Sequence, residues 1–334
     1  MKMKVKWILF LLIPIVFAVL SLGIGRYNMD IIVQLKIIAS QVFDIEQTWT
    51  DLEETVVMNI RLPRILLALL IGAGLSIAGA SFQGMFANPL VSPDILGVSA
   101  GAGFGAALGI LFLGNGLGAQ LLSLAFGLVA IVFTFFISGM KKEMPLYMMV
   151  LAGVVSGALF QALISLIKFV ADPQDKLPAI TYWLMGSLST ASYRDLLIGG
   201  PLILIGIIIL YILRWRMNIL SLSDEEATSL GINITRMKWI VIFAATLITA
   251  SSVAIAGIIG WVGLIIPHIA RMIVGNNNQY VLPASLSIGA VYLLLIDNLA
   301  RSMTATEIPL SILTAIIGAP FFAFLLKKTG GGWN

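Results

Sequence analysis

The sequence is dominated by ten stretches of mostly apolar residues, most of them close to 20 residues long. A helix needs roughly 20 such residues to cross a bilayer, where no water is present to pair with free backbone groups. The pattern therefore predicts an all-α, polytopic membrane protein with about ten transmembrane helices in a single domain, residues 1–334. The predicted spans are Trp7–Gly25, Ile60–Phe82, Ile95–Leu113, Ala119–Gly139, Pro145–Val170, Leu196–Leu213, Trp239–Ala256, Gly260–Val274, Val281–Ala300 and Pro309–Leu326.

The eighth span is the least regular. Residues 239–274 are almost continuously apolar, with interruptions only at Gly257, Gly260, Gly263 and Pro267. We predict one long helix followed by a short one, which is tilted, partial or shielded by its neighbours. Small residues spaced four apart, as at Gly101, Gly105 and Gly109, predict close helix packing and no transport role.

The composition agrees with a lipid environment. Hydrophobic residues make up 59% of the chain and charged residues 11%, whereas about a quarter of the residues in a soluble domain are charged. Cysteine is absent and His268 is the single histidine, which excludes a thiolate site and argues against metal catalysis. The net charge is +4, but the basic residues flank apolar runs and form no single patch, so we expect no nucleic-acid partner.

The basic residues also predict the orientation, because lysine and arginine collect in cytoplasmic loops. The Trp7–Gly25 run is longer than the roughly 7 to 15 residues of a signal-peptide core, so we expect an uncleaved first span. Both termini are then inside, and the acid-rich segment 26–59 is a folded or surface-lying external element. Twelve of the twenty basic residues lie inside: Lys2, Lys4, Lys6, Lys141, Lys142, Arg214, Arg216, Arg236, Lys238, Arg271, Lys327 and Lys328.

The spans carry almost no ionisable groups. Asp297 is the single carboxylate well inside a predicted span, and Arg301, four residues later, gives it a structural partner. An ion-coupled secondary transporter usually binds its ion near the midplane, and an intramembrane enzyme needs a cluster of reactive groups. The sequence disfavours both alternatives. It also lacks a Walker A loop, so ATP must be hydrolysed by a partner.

The inside loop 221–236 has the features of a docking element for such a partner. Ser223 is placed to cap a helix, three acidic residues fill the first turn, and Gly231 ends it. This predicts a short amphipathic cytoplasmic helix. The alternative is a solvated connector between two spans.

Nine short motifs follow one another along nearly the whole chain. Each alone is a weak signal, but nine in this order are specific, and they resemble the FecCD family of permeases, the family of the cobalamin importer's membrane subunit. The chain departs from that family at 257–260, where members commonly have a proline, and at 276–279, where they often have Asp-His-Arg. The motifs are Arg61–Arg64, Gly79 with Gln83–Gly84, Asn88–Leu90, Leu96–Ala102, Trp183–Ser187, Leu230–Gly231, Gly263–Arg271, Leu282–Ser285, and Glu307–Pro309 through Gly318–Phe321.

The resemblance implies a type II ABC importer permease in the cytoplasmic membrane, which is not itself an enzyme. It implies a second permease subunit, identical or paralogous, and two cytoplasmic ATPase subunits that bind ATP and Mg. An external substrate-binding protein completes the assembly, and this chain holds no cofactor or metal of its own. The cargo is expected to be a metal chelate, iron-siderophore first and haem or cobalamin next. Molybdate or tungstate is the alternative within the same fold.

The resemblance also assigns residues. Arg61, Arg64 and Arg301 are implied to receive glutamates of the binding protein, with interfacial snorkelling as the alternative. The loop helix is implied to couple to the ATPase through Ser223, Asp224, Glu225, Glu226, Ala227, Leu230 and Gly231.

Two inner helix ends complete the candidate residues. Pro267 and His268 form a pair that the family shares, and His268 is expected to make a structural hydrogen bond or to contact the ATPase. Asn88 and Pro89 end the second span, where they line an inner gate or serve packing alone.

Overall fold

The computed structural model describes residues 3–114, 116–139, 146–221, 233–304 and 306–329. Within these ranges a π-helix spans Val56–Arg61, and 3₁₀-helices span Pro93–Leu96 and Arg216–Ser221. The α-helices are α1 Met3–Leu22, α2 Ile31–Ser40, α3 Asp51–Thr55, α4 Leu62–Met85, α5 Val98–Leu113, α6 Leu117–Ser138, α7 Leu146–Val170, α8 Lys176–Leu184, α9 Tyr193–Leu213, α10 Ile234–Ala256, α11 Val262–Val274, α12 Asn278–Ser302 and α13 Leu310–Thr329.

Each predicted span coincides with one helix, namely α1, α4 to α7 and α9 to α13, which confirms the all-α polytopic class. Among the described residues, six helices are long and apolar enough to cross a membrane. Four other predicted spans are shorter apolar helices, including α11 with 13 residues. Several helices begin earlier than their apolar runs, as α10 does at Ile234. Helix α9 begins at Tyr193 and not at Leu196, because Ser192 and Asp195 form a capping box there.

Helices α4, α10 and α12 form the centre of the bundle. The most apolar windows of α4 and α10 are each 78% buried, whereas the corresponding window of α7 is 33% buried. The exposed side chains of α7 are large and apolar, as at Leu151, Val154 and Phe169. In a membrane-spanning helix these side chains are covered by lipid or by another subunit.

Glycines allow the central helices to touch through their backbones. A Cβ atom on Gly79 of α4 would lie 1.9 Å from the Gly263 carbonyl oxygen of α11. A Cβ atom on Gly105 of α5 would lie 2.1 Å from the Leu122 carbonyl oxygen of α6. Because backbone atoms cannot rotate away, these contacts require glycine, as the small-residue spacing of the α5 face predicted.

Segment 26–59 is a folded element. Its helices α2 and α3 enclose a small apolar core of Met29, Ile37, Trp49 and Val57. Thr50 and Glu53 cap α3 reciprocally, and the π-helix joins α3 to α4 in one continuous helical segment from Asp51 to Met85. Its position outside the membrane stays a prediction.

Candidate functional site

The three arginines predicted to contact an external protein lie together at the end of the bundle where α1 and α12 end and α4 begins. We call this the predicted outer end. Arg61, Arg64 and Arg301 are 3%, 5% and 7% exposed. Burial of a guanidinium is costly unless its donors find acceptors, so the partners of each arginine define what this cluster does.

Arg61 and Arg301 cap the C-terminus of α1. The last carbonyls of a helix have no intrahelical partner and carry partial negative charge, which favours a cation there. Arg61 donates to the carbonyls of Leu22 and Tyr27 and, at 2.9 Å, to the Gln34 side-chain oxygen. Arg301 donates from Nη2 to the Ser21 carbonyl at 2.9 Å. The two arginines thus fasten α1 and α2 to the bundle.

Arg64 joins α4 to two carboxylates. Its Nε and Nη2 donate to Asp297 of α12 at distances from 2.8 to 3.1 Å. Its Nη1 and Nη2 donate to Glu307 at 2.9 Å each. The guanidinium fork therefore makes a paired contact on each side, which is the strong geometry for arginine and carboxylate.

The predicted i,i+4 ion pair between Asp297 and Arg301 is present, but Arg64 is the closer partner of Asp297. The Asp297 side chain is 0% exposed, and its hydrogen bonds come from Arg64, 233 residues away. Arg301, the predicted i,i+4 partner, places its Nε 3.8 Å from Asp297 Oδ2. Its Nη2 donates instead to Asn298 and to the Ser21 hydroxyl. Asp297 is thus structural, but it acts mainly through Arg64.

The burial also limits how an external protein could contact these arginines. The side chains of Arg61 and Arg301 are engaged with α1, and the more exposed carboxylate on Arg64 is Glu307, whose side chain is 24% exposed. The expectation that a charged lobe reaches all three directly does not fit this arrangement. A docking role for the cluster stays a prediction.

At the opposite, predicted inner end, Pro267 has a clear structural consequence. Proline lacks a backbone N–H, so the Gly263 carbonyl four residues earlier in α11 has no helical donor. The buried Gln83 of α4 supplies one, since its Nε2 lies 3.5 Å from the Gly263 oxygen and 3.1 Å from the Leu264 oxygen. Its Oε1 accepts from Arg271 of the same short helix. Gln83 therefore fixes α11 to α4.

The other inner candidates lie close by. His268 is half-buried on α11, one residue after Pro267, and it has an interaction partner. Asn88 is exposed just after α4 and its side chain accepts from the Leu90 backbone N–H at 2.9 Å, which makes a turn before Pro93. Pro89 is half-buried in that turn. A role in gating stays a prediction.

The predicted coupling residues Ser223, Asp224, Glu225, Glu226, Ala227, Leu230 and Gly231 lie outside the described residues. The elements on either side are described. Asn218 of the preceding 3₁₀-helix donates to the Asn277 side chain at 2.9 Å and accepts from the Asn278 backbone N–H at 2.8 Å. Asn233 caps α10 on the other side. The segment thus leaves the bundle beside the start of α12.

The model of the FecCD transport family matches residues 11–328. The chain belongs to this family. A molybdate import system permease protein of Haemophilus influenzae is 44% identical over 328 residues, covering 97% of this chain and 96% of that protein. A probable iron chelatin transport system permease protein of Helicobacter pylori is 43% identical over 278 residues, 83% of each chain.

Two solved structures share the fold of this FecCD family member. A structure described as an inward-facing conformation of a metal-chelate type ABC transporter has a TM-score of 0.85 and 43% identity, covering 96% of this chain and 97% of that one. The PsaBC structure from Streptococcus pneumoniae has a TM-score of 0.59 at 19% identity, covering 80% and 90%, and supports the fold alone.

Several residues that organise the two ends were missed as site residues by sequence reasoning. Glu307, Gln34, Asn298 and Gln83 are polar residues beside or inside apolar segments, which is the signal that was available. In the contacts described above, Gln34, Gln83 and Glu307 have partners 27 to 243 residues away, whereas Asn298 contacts Arg301 three residues along the chain. Spacing in the chain does not reveal such pairs.

Proposed function

We propose that this FecCD family member is the permease subunit of an ATP-binding cassette importer of metal chelates, with iron-siderophore as the first candidate cargo. The observation that carries the proposal is the family match over residues 11–328. Relatives named for iron chelatin, Fe(3+)-citrate, cobalamin and hemin support a chelate cargo. The chain is not catalytic itself in this proposal, and ATP and Mg bind to the partner ATPase.

The charge distribution supports an externally driven transporter over an ion-coupled one. A coupling ion needs an available carboxylate near the midplane. Asp297 lies near the end of α12 and already has Arg64 as its counter-ion. Energy for transport is therefore supplied by a partner that acts on the cytoplasmic face.

That partner is proposed to bind segment 221–236, in which the sequence predicts Glu225 and Glu226 in the first turn of a short helix. Replacing both with lysine is expected to leave the membrane subunit folded but to uncouple ATP hydrolysis from uptake. Asp172 and Asp175, in the predicted outer loop before α8, provide a control with the same change of charge on the opposite face. Uptake that survives the first pair of changes would remove the coupling assignment.

A second permease copy or a paralogue is proposed to cover α13. This helix packs on α11 and α12, and it leaves Ile312, Ile316, Ile317 and Phe324 exposed. An apolar face at the edge of a transport protein fits a partner helix that completes the path. Dimerisation is testable by cysteine crosslinking at Ile316, since the natural chain has no cysteine.

The external binding protein is proposed to dock at the predicted outer end through acidic side chains, near Arg61, Arg64 and Arg301. Positive charge exceeds negative charge in this cluster, because Arg61 donates only to neutral acceptors in the contacts described above. Both termini are proposed to lie in the cytoplasm, with the protein in the plasma or inner membrane.

Molybdate or tungstate is the second candidate cargo, favoured by the 44% identity to the Haemophilus influenzae molybdate permease protein. Uptake assays on vesicles that contain the permease and its ATPase separate the two, with radioactive iron-siderophore in one arm and molybdate in the other. ATP-dependent accumulation is expected only when the ATPase is present. Transport by the permease alone, driven by an ion gradient, would overturn the proposal.

A further inference from the structure

The Arg64 guanidinium binds two carboxylates that differ in their access to water. Asp297 is completely buried, whereas the Glu307 side chain is 24% exposed. Each accepts two or more hydrogen bonds from the same arginine, with donor–acceptor distances between 2.8 and 3.1 Å. A carboxylate that approaches from outside the bundle therefore meets the side of Arg64 that Glu307 occupies.

If an incoming carboxylate replaces Glu307 on Arg64, no buried charge is left without a partner. Asp297 stays on Arg64 throughout, so the arginine remains neutralised while Glu307 leaves and another acid arrives. Losing one member of a buried pair is costly because the remaining charge is uncompensated. Replacing the accessible carboxylate with an equivalent one avoids that cost, since the displaced Glu307 side chain is already partly solvated.

The charge within the arginine cluster favours an incoming acid. Arg61, Arg64 and Arg301 lie in the cluster with two carboxylates, Asp297 and Glu307, which leaves one positive charge in excess. Arg26, at the same end, is exposed and donates to the Thr304 carbonyl at 2.8 Å. An acidic side chain that reaches the cluster is therefore attracted to it at short range.

We propose that Glu307 occupies the position on Arg64 that a carboxylate of the docking protein takes when it binds. An aspartate or glutamate of the docking protein displaces Glu307 from Nη1 and Nη2 of Arg64, while Asp297 holds the other side. Glu307 thereby competes with the partner and sets how tightly it docks. This inference rests on the proposed function, in which a binding protein docks at the predicted outer end.

The displaced residue also links docking to α13. Glu307 lies three residues before that helix, and its backbone carbonyl is 3.5 Å from the Tyr182 hydroxyl. The first turn of α13 is held by hydrogen bonds from Leu310 and Ser311 to the carbonyls of Gly186 and Met185. Release of the Glu307 side chain breaks its ion pair with Arg64, which is one of the contacts between this segment and α4.

The test measures the affinity of the proposed binding protein for the permease–ATPase complex in nanodiscs. Glu307→Gln removes the competing charge and is expected to tighten docking by about three- to tenfold. Glu307→Asp retains the charge and is expected to stay within about twofold of the natural protein. Glu46→Gln removes an exposed negative charge of segment 26–59 and is the control for a general change of charge.

The outcomes separate the inference from the function on which it rests. If the natural complex binds and Glu307→Gln docks with equal or lower affinity, the hypothesis that Glu307 competes with the partner is overturned. The proposed function is then left intact. An equal gain in Glu46→Gln overturns it too, because the effect is then only long-range. Absence of docking by the natural complex overturns both the inference and the proposed docking partner.

Discussion

Replacing Asp297 with asparagine tests whether a single buried carboxylate holds the predicted outer end of the bundle together. Asp297 accepts three hydrogen bonds from Arg64 and lies 3.8 Å from Arg301. Asparagine has nearly the same shape, but it removes the charge and turns an amide donor toward the guanidinium donors. Two buried arginines are then left with Glu307 as the nearest carboxylate.

The size of the effect follows from burial. Opposite unit charges about 4 Å apart attract by about 4 kcal/mol at an effective dielectric constant of about 20. Removing one member of a buried pair costs about 3–5 kcal/mol. Glu307→Gln makes the same chemical change on the same arginine, but water reaches that side chain. Its cost is expected to be about 1 kcal/mol or less.

The assay is the fraction of monodisperse protein that survives heating in detergent, measured by size-exclusion chromatography. Unfolding of such a protein is usually irreversible, so the order of the midpoints carries the comparison. We expect Asp297→Asn to lose its monodisperse peak at a clearly lower temperature than the natural protein, with Glu307→Gln close to the latter. Equal midpoints for both variants would refute the reasoning from burial.

Further predictions use the same heating assay. Gly79→Ala places a Cβ atom 1.9 Å from a backbone oxygen and is expected to cost about 1–3 kcal/mol or more. Its control, Gly157→Ala in α7, meets no atom nearer than 3.9 Å and is expected to be neutral. Similar midpoints for the two variants would contradict this prediction. Ser192→Ala removes the cap of α9 and is expected to cost about 1 kcal/mol, a loss that Ser192→Thr should largely avoid. Gln83→Leu leaves the Gly263 carbonyl without its side-chain donor and is expected to cost about 1–3 kcal/mol; an unchanged midpoint would show that water or Arg271 compensates.

The spans were predictable because the relevant information is local. Length and apolarity of a continuous run decide whether a helix can cross the membrane, and all ten runs coincide with helices. The same locality explains the small error at α9. The apolar run starts at Leu196, but the helix starts where Ser192 and Asp195 provide caps.

The partners within the candidate site were not predictable in this way. Asp297 has a basic residue one turn away, and sequence reasoning paired it with Arg301. The fold brings Arg64 nearer, and its planar fork matches the carboxylate better. The role of Gln83 in satisfying the carbonyl opposite Pro267 depends on the approach of α4 to α11, which the spacing of residues does not show.

Helix α12 connects the predicted inner and outer ends of the bundle in one element. At one end Asn278 is bonded to Asn218, which flanks the segment proposed to meet the ATPase, and at the other end Asp297 is bonded to Arg64. Its 25 residues rise by about 37 Å. A continuous helix held at both ends can transmit a displacement from one end to the other. In the proposed importer, a shift at the end beside segment 221–236 would pass along the helix backbone to the predicted outer end, so the proposed ATPase and binding-protein sites would share one helix.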